Sequence, residues 1–431
     1  NLLAEMSVAP AAAAAAATRW LELHGVHLER VAAQSFHTRG AGLGLVARSA
    51  LAAGEVVLRV PRKCWWPFSA AAARERAVQS MPGAVERIDA LDLGGSRHLA
   101  DSTLLAAVIA SQLVEGTDPG SYVREVPIEL DVPALWPADL RGALLAGASC
   151  QRACESQAVL SDNLYRALVE GGGGPPLSLH QFRWGQALLL SRAHSGEGKP
   201  LALVPGLDLL NHAGSCAGAR VRFSEDENGG SFELVAIRDH AVGDELRIDY
   251  GVRGSHQLLR QYGFVAPVTS AEPGSVGGSL AADEEVRLFL LPPGVEQPDG
   301  IPAVWDLRWA SAPGQDIQHW EGLVELPLGD ASTDPAETVR ALQVLATAIG
   351  VRLEEQRAGY EASAAVRQMP GEAAGDVAAR ARALLSGELH ETETRLLLAA
   401  KQQLAELGIV PEAAGGRMPS CGDPSCADPV C

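Results

Sequence analysis

Three polar segments in this chain hold residue types able to do chemistry. The first, Pro205-Gly206-Leu207-Asp208-Leu209-Leu210-Asn211-His212, is an apolar run that ends abruptly in Asn-His. Asn beside His offers paired donors and acceptors suited to an adenine edge or an amino-acid head group. A buried turn around a satisfied histidine would account for the same residues. The second, Gly243-Asp244-Glu245-Leu246-Arg247-Ile248-Asp249-Tyr250-Gly251, and the third, Leu258-Leu259-Arg260-Gln261-Tyr262-Gly263-Phe264-Val265, each carry a Tyr-Gly pair. The chain has only five tyrosines, and two of them fall in Tyr-Gly pairs 12 residues apart, although core packing with a hydrogen-bonded hydroxyl would account for either one. A fourth segment, Gly40-Ala41-Gly42-Leu43-Gly44, would let backbone amides come close to a ligand. It does not fit G-x-G-x-x-G, because Leu45 stands where the last glycine belongs, and it opens no helix, so nicotinamide chemistry is a poor reading.

Elements of mixed type must position these segments. Leu45-Val46-Ala47 and Val56 to Pro61, separated by the Gly54-Glu55 turn signal, predict two short strands joined by a tight turn. Trp20 to Gly25 predicts a short helix stopped by glycine, and Ala11 to Ala17 before it is either helix or a low-complexity leader. Residues 69–170 are rich in Ala and Leu at helical spacing and read as a helical insertion. Ser178 with Gln181 three residues later is a capping box, predicting a helix from about Ser178 to Ala193. Alternation over 232–237 and 245–250 predicts strands, and residues 335–407 read as wholly helical.

At 431 residues the chain is long enough for two or three domains and at least one large core. Its formal charge of −18 argues against a nucleic-acid binder, which needs clustered cations, and is compatible with a basic protein partner. No run of 18 apolar residues occurs, so no membrane partner is expected, and no basic region precedes the N-terminal apolar stretch as in a secretory signal. Seven scattered cysteines do not make a disulfide framework. Cys150 and Cys154, one helical turn apart, read as packing residues.

In order and spacing the segments resemble the SET domain, and within it the Rubisco large subunit lysine methyltransferase family. The matching pieces are Gly42 to Ala47, Gly54-Glu55 with Val60-Pro61, Ser191-Arg192-Ala193, Pro205 with Asp208 and Asn211-His212, Gly243 with Glu245 and Tyr250, and Tyr262-Gly263-Phe264. The resemblance implies an α+β fold: short strands with knot-like threading and a helical insertion, then an all-α C-terminal lobe. The expected organisation is a leader over 1–19, a SET domain over 20–267 with its insertion at about 69–180, a helical substrate-binding lobe over 280–410, and a loose Cys-containing tail over 411–431.

The same resemblance implies S-adenosylmethionine as cofactor, held by Ala41, Gly42, Leu43, Asn211 and His212. Arg192, Asp208, Tyr250 and Tyr262 would line the side of the site that takes a target lysine of a protein substrate, with Tyr250 the catalytic residue. Threading would bring His212 and Tyr250 together. A free lysine ionises near 10.4 and must lose a proton before it accepts a methyl group, so an apolar channel and a nearby positive charge both help. Tyr250 is expected to orient the amine and act electrostatically, with no role as a strong base.

Several positions depart from the family pattern. Ala41 replaces an acidic residue, Gly196 replaces a second arginine, His256 replaces an asparagine, and residues 219–223 read Ala-Arg-Val-Arg-Phe with no third channel tyrosine. These changes bear on the substrate and the degree of methylation more than on the cofactor, and the alternatives to lysine methylation are methylation of a histidine side chain and a SET-like module that binds a protein without catalysis. Cys216 with Cys421, Cys426 and Cys431 has the wrong spacing for the zinc site of other SET proteins, so no metal is expected. The family likeness implies a plastid location, with cytoplasm or nucleus as alternatives.

Overall fold

A computed structural model of the chain describes residues 10–36, 42–91, 93, 96–114, 120–126, 130–170, 177–196, 198–213, 216–251, 253–265, 285–289, 304–308, 335–369 and 374–409. The helices are α1 (Pro10–Leu23), α2 (Arg62–Trp65), α3 (Ala70–Ser80), α4 (Ala84–Ala90), α5 (Arg97–Ser111), α6 (Tyr122–Glu125), α7 (Ala138–Leu144), α8 (Gln151–Val169), α9 (Leu179–Arg192), α10 (Ser255–Tyr262), α11 (Pro335–Arg367) and α12 (Ala374–Glu406). The strands are β1 (Val31–Ser35), β2 (Leu43–Ala47), β3 (Val56–Pro61), β4 (Ala193–Gly196), β5 (Lys199–Leu203), β6 (Asn211–His212), β7 (Ala219–Ser224), β8 (Ser231–Ala236), β9 (Glu245–Ile248), β10 (Glu285–Phe289) and β11 (Val304–Arg308). Among the described residues no helix is long and apolar enough to cross a membrane.

The chain divides into two compact units. The first comprises residues 1–135, 157–252 and 261–263; the second comprises 136–156, 253–260 and 264–431. Stretches from the middle of the chain thus belong with the C-terminal helices.

In the first unit β1-β2-β9-β6 form one sheet and β3-β8-β7 another. The two strands expected around the Gly54-Glu55 turn both form, and they lie in different sheets. β2 pairs antiparallel with β1 and β9, whereas β3 pairs antiparallel with β8. The turn between them is tied to β8 instead: Gly54 N donates to Ala236 O at 2.8 Å and Ala236 N donates to Glu55 O at 2.9 Å. Strand β8 also departs from expectation, since all six of its residues are buried where alternation predicted one wet face. Its Glu233 is held by Arg59 and Arg222, its cross-strand neighbours on β3 and β7, at 2.6 and 2.7 Å. Two cations compensate one buried carboxylate, which would otherwise carry a large desolvation cost.

The helical insertion supplies much of the first unit's core, with Leu104 to Ala110 of α5 all at 0% exposure. Helix α9 begins where the capping box placed it: Ser178 Oγ accepts from Gln181 N, and the Gln181 side chain accepts from Ser178 N at 2.7 Å. Helix α1 takes up the alanine run and buries Ala17, Trp20 and Leu21.

In the second unit α11 and α12 pack along each other, with Leu342, Leu345, Ile349, Leu396, Leu397 and Leu404 as an apolar seam, and the lobe expected to be all-α also holds an antiparallel β10–β11 pair. Residues 136–156 add Trp136, Leu144, Leu145, Cys150 and Cys154 to a separate cluster of the same unit, so both cysteines are packing residues there.

Candidate active site

Two chain segments that meet in the first unit build the site. β6 is a two-residue strand that pairs parallel with β9, setting Asn211 opposite Arg247 and His212 opposite Ile248. Asn211 Nδ2 reaches across the sheet, donating to Leu43 O at 3.1 Å and Glu245 Oε1 at 2.8 Å. Gly44 makes this approach possible: a Cβ there would lie 2.6 Å from Phe36 Cε2 and 2.9 Å from Asn211 Nδ2. Of the glycine-rich segment, Gly42 accepts from Phe36 N at 2.9 Å and Leu43 opens β2, while Ala41 lies outside the described residues.

Tyr250 follows β9 and meets His212, as the expected threading required. Tyr250 N donates to His212 Nδ1 at 3.1 Å across 38 residues of sequence, and the two rings lie 5.0 Å apart. With Nδ1 accepting, a neutral ring carries its proton on Nε2. The Tyr250 hydroxyl donates to Leu210 O at 2.5 Å, and its ring stacks on Tyr262 at 4.4 Å. Burial pushes the Tyr250 hydroxyl up to about 12; Arg192 works against this, while Tyr262, Asp208 and Glu245 add to it. The hydroxyl is therefore neutral at pH 7, a donor and dipole with no capacity as a base.

Arg192 and Asp208 complete the cluster. Arg192, last residue of α9, donates through Nη1 to the backbone oxygen of Asp208. Asp208 is only 4% exposed, and burial raises its carboxyl to about 6 against the opposing pull of Arg192 and its hydrogen bonds. Its Oδ1 accepts from Tyr122 Oη and from Gly206 N, both at 2.8 Å. Gly206 adopts φ +86°, the left-handed region that turns its N–H back toward the Asp208 side chain two residues on. Asp208 Oδ2 and Arg192 Nε are buried with no hydrogen-bond partner among the described residues.

Tyr250, Tyr262, Asn211, His212, Asp208 and Arg192 are thus neighbours or linked through one another. Sequence reading missed Tyr122 and the bonding role of Glu245. Glu245 carried a signal, standing within the Gly243-to-Tyr250 segment. Tyr122 carried none, since 86 residues separate it from Asp208. Among the described residues no group of three or more His, Cys, Asp and Glu side chains is placed to hold a metal ion. Cys216 is exposed, and Cys421, Cys426 and Cys431 lie outside the described residues.

A short parallel β6–β9 pair carries Asn-His on one strand and leads into a Tyr-Gly on the other. The SET domain family model matches residues 42–251. The chain is 26% identical over 268 residues to the bovine N-lysine methyltransferase SETD6, covering 58% of this chain and 56% of that protein. It is 22% identical over 276 residues to the zebrafish actin-histidine N-methyltransferase, covering 61% of this chain and 44% of that protein. The chain therefore spans about half the length of these curated relatives. Among solved structures, the SET domain of LSMT bound to lysine and AdoHcy superposes with a TM-score of 0.57 at 16% identity, covering 93% of this chain and 97% of that one. Rubisco LSMT bound to AdoMet gives a TM-score of 0.53 at 17% identity, over 93% and 98% of the two chains. Residues 42–251 match the SET domain, and the chain has the fold of the Rubisco LSMT structures.

Proposed function

We propose that this protein transfers a methyl group from S-adenosylmethionine to the side-chain amine of lysine in a protein substrate. The observation that carries the reading is the meeting of Asn211-His212 with Tyr250 and Tyr262 through the β6–β9 pair of a SET domain. The likeness of this chain to the N-lysine methyltransferase SETD6 supports lysine as the target.

The residues fit that cofactor. Arg192 and Asp208, expected on the side of the target lysine, also suit the cofactor's amino-acid head: Asp208 Oδ2 and Arg192 Nε are a buried acceptor and a buried donor left open. The backbone of Gly42 and Leu43 with Asn211 and His212 would hold the rest. When bound, S-adenosylmethionine supplies a methyl group already activated on a sulfonium.

The chain's own residues then have three tasks. The Tyr250 hydroxyl, anchored on Leu210 O and stacked on Tyr262, presents a fixed dipole to the target nitrogen. The burial that keeps Tyr250 neutral also disfavours an ammonium, so the target amine gives up its proton before transfer. The packed aromatic pair restricts the amine's approach, and positioning of this kind is a large part of the acceleration in a displacement that needs no covalent enzyme intermediate.

Actin-histidine methyltransferases, at 23% identity over as much as 68% of this chain, make histidine the second reading. A plastid protein, the Rubisco large subunit included, is the first substrate to test on the likeness to Rubisco LSMT, with the helical lobe as its platform. The purified protein would be incubated with S-adenosylmethionine and candidate protein substrates, and new methyl groups mapped by mass spectrometry. Methyl-lysine is expected, falling roughly 100-fold or more with Tyr250→Phe. Methyl-histidine would move the assignment to the second reading, and no transfer together with no cofactor binding by calorimetry would sink both.

A further inference from the structure

The helical insertion sends one side chain into the site. We propose that Tyr122, on α6, is a positioning residue of the transfer site that acts through Asp208: its hydroxyl fixes Oδ1, which leaves Oδ2 as the acceptor that this carboxylate offers to a bound ligand. The assignment rests on the methyltransferase reading given above.

Tyr122 is built for a fixed position. It is 0% exposed, its ring packs edge-on against Trp20 at 4.9 Å and Phe68 at 6.3 Å, and its oxygen also receives Gly206 N at 3.4 Å. Burial and the neighbouring Asp208 raise its own ionisation well above the ordinary tyrosine value, so the hydroxyl keeps its proton and donates throughout the working range. Part-buried Tyr165, by contrast, donates to a backbone carbonyl, Leu177 O, at 2.8 Å. Tyr122 instead gives its single proton to a carboxyl oxygen whose twin has no partner among the described residues.

The charged groups around this pair act in known directions. Arg192 of α9 favours the charged form of Asp208, as do the hydrogen bonds from Tyr122 and Gly206, all against burial. Asp208 in turn acts on Tyr250, alongside Arg192, Tyr262 and Glu245. Removing the Tyr122 hydroxyl therefore deprives the Asp208 carboxylate of a charge-assisted hydrogen bond and makes it easier to protonate.

Tyr122→Phe keeps the ring and its packing and deletes only the hydroxyl. The Asp208 carboxyl would be titrated by ¹³C NMR in the unaltered protein, in Tyr122→Phe and in Tyr165→Phe, with Asp208→Asn used to assign the resonance. Methyl transfer to one protein substrate would be measured across the same pH range. The expected result is an upward move of the Asp208 midpoint by about one pH unit in Tyr122→Phe alone. The acid limb of kcat should move by the same amount, with thermal stability close to that of Tyr165→Phe. An unmoved midpoint would overturn the link, and a moved midpoint with an unmoved transfer profile would overturn the role in the reaction. Absence of transfer by the unaltered protein would instead remove the methyltransferase reading and this positioning role together, while the titration would still report whether Tyr122 governs Asp208.

Discussion

Each of the two units buries a carboxylic acid among polar groups, and the two are finished differently. Asp208 in the first unit has both of its hydrogen bonds on one oxygen and none on the other among the described residues. Glu393 of α12, 1% exposed in the second unit, has both oxygens engaged: Ser149 N donates to each at 3.1 Å, and Gln356 Nε2 donates to one of them. The surroundings of Glu393 close on themselves as well. His390 sets Nδ1 against Gln356 Oε1 and Nε2 against Leu144 O, a neutral ring donating to one of them, while Ser386 Oγ donates to Leu144 O and Arg352 Nη1 donates to Gly147 O. A closed polar network specifies how α11, α12 and the 144–149 stretch fit together. A half-satisfied acid keeps a cost that a bound group can relieve, and such unmet groups gather at functional sites. Burial alone therefore does not mark a carboxyl as functional, whereas the unmet oxygen does.

Exchanging each acid for its amide tests this contrast most severely. Asp208→Asn should lower methyl transfer by roughly ten- to a hundred-fold, about 1.4–3 kcal/mol of barrier, with a small change in melting temperature. Glu393→Gln should do the reverse, leaving kcat within about two-fold while disturbing the unit that α12 holds together. Equal effects of both on transfer would dissolve the distinction.

Dependence on pH sharpens the comparison within the second unit. Burial raises Glu393 to about 7, so the folded state holds its proton more tightly than the unfolded chain does. Stability from this group is present below the ordinary carboxyl value and is lost as pH rises to about 7, on the order of 3 kcal/mol in all. His390 is displaced the other way, to about 4, chiefly by burial, so it costs stability as pH falls from 6.5 toward 4. The two slopes oppose each other between about 4.5 and 6.5. Urea unfolding of Glu393→Gln should show stability rising with pH there, and His390→Gln should show it falling. Parallel curves would mean that the two groups do not titrate as their burial dictates.

The smallest expected effect concerns Gly44. Gly44→Ala would press a methyl group against Phe36, Asn211 Nδ2 and Glu245 Oε1, at 2.6, 2.9 and 3.0 Å, costing about 1–3 kcal/mol. Because Asn211 must shift, cofactor affinity by calorimetry should fall further than stability predicts. Loss of stability alone would show that Asn211 does not hold the cofactor.

What could be read from the sequence depended on the range of the interaction. The α9 capping box lies within four residues, and the long 335–407 helical stretch repeats its apolar spacing turn after turn, so both were visible. The strands around Gly54 were visible as strands, but their partners were not, because β-pairing is settled between segments that local composition does not compare. The alternation expected of β8 failed for a related reason: its second face is covered, and Glu233 sits there only because arginines on two other strands reach it.

By itself, the sequence determined most of the residues the site contains: an Asn-His, two Tyr-Gly pairs and a glycine-rich segment, in an order that resembles the SET domain. Those choices are local and chemical, and they survive as patterns in the chain. Only the tertiary structure decided which carboxyl is left open, that a tyrosine 86 residues away governs it, and that residues 136–156 join the C-terminal unit. Burial and hydrogen-bond satisfaction are properties of the packed whole, since each group's partners come from elements that meet only after the chain has folded.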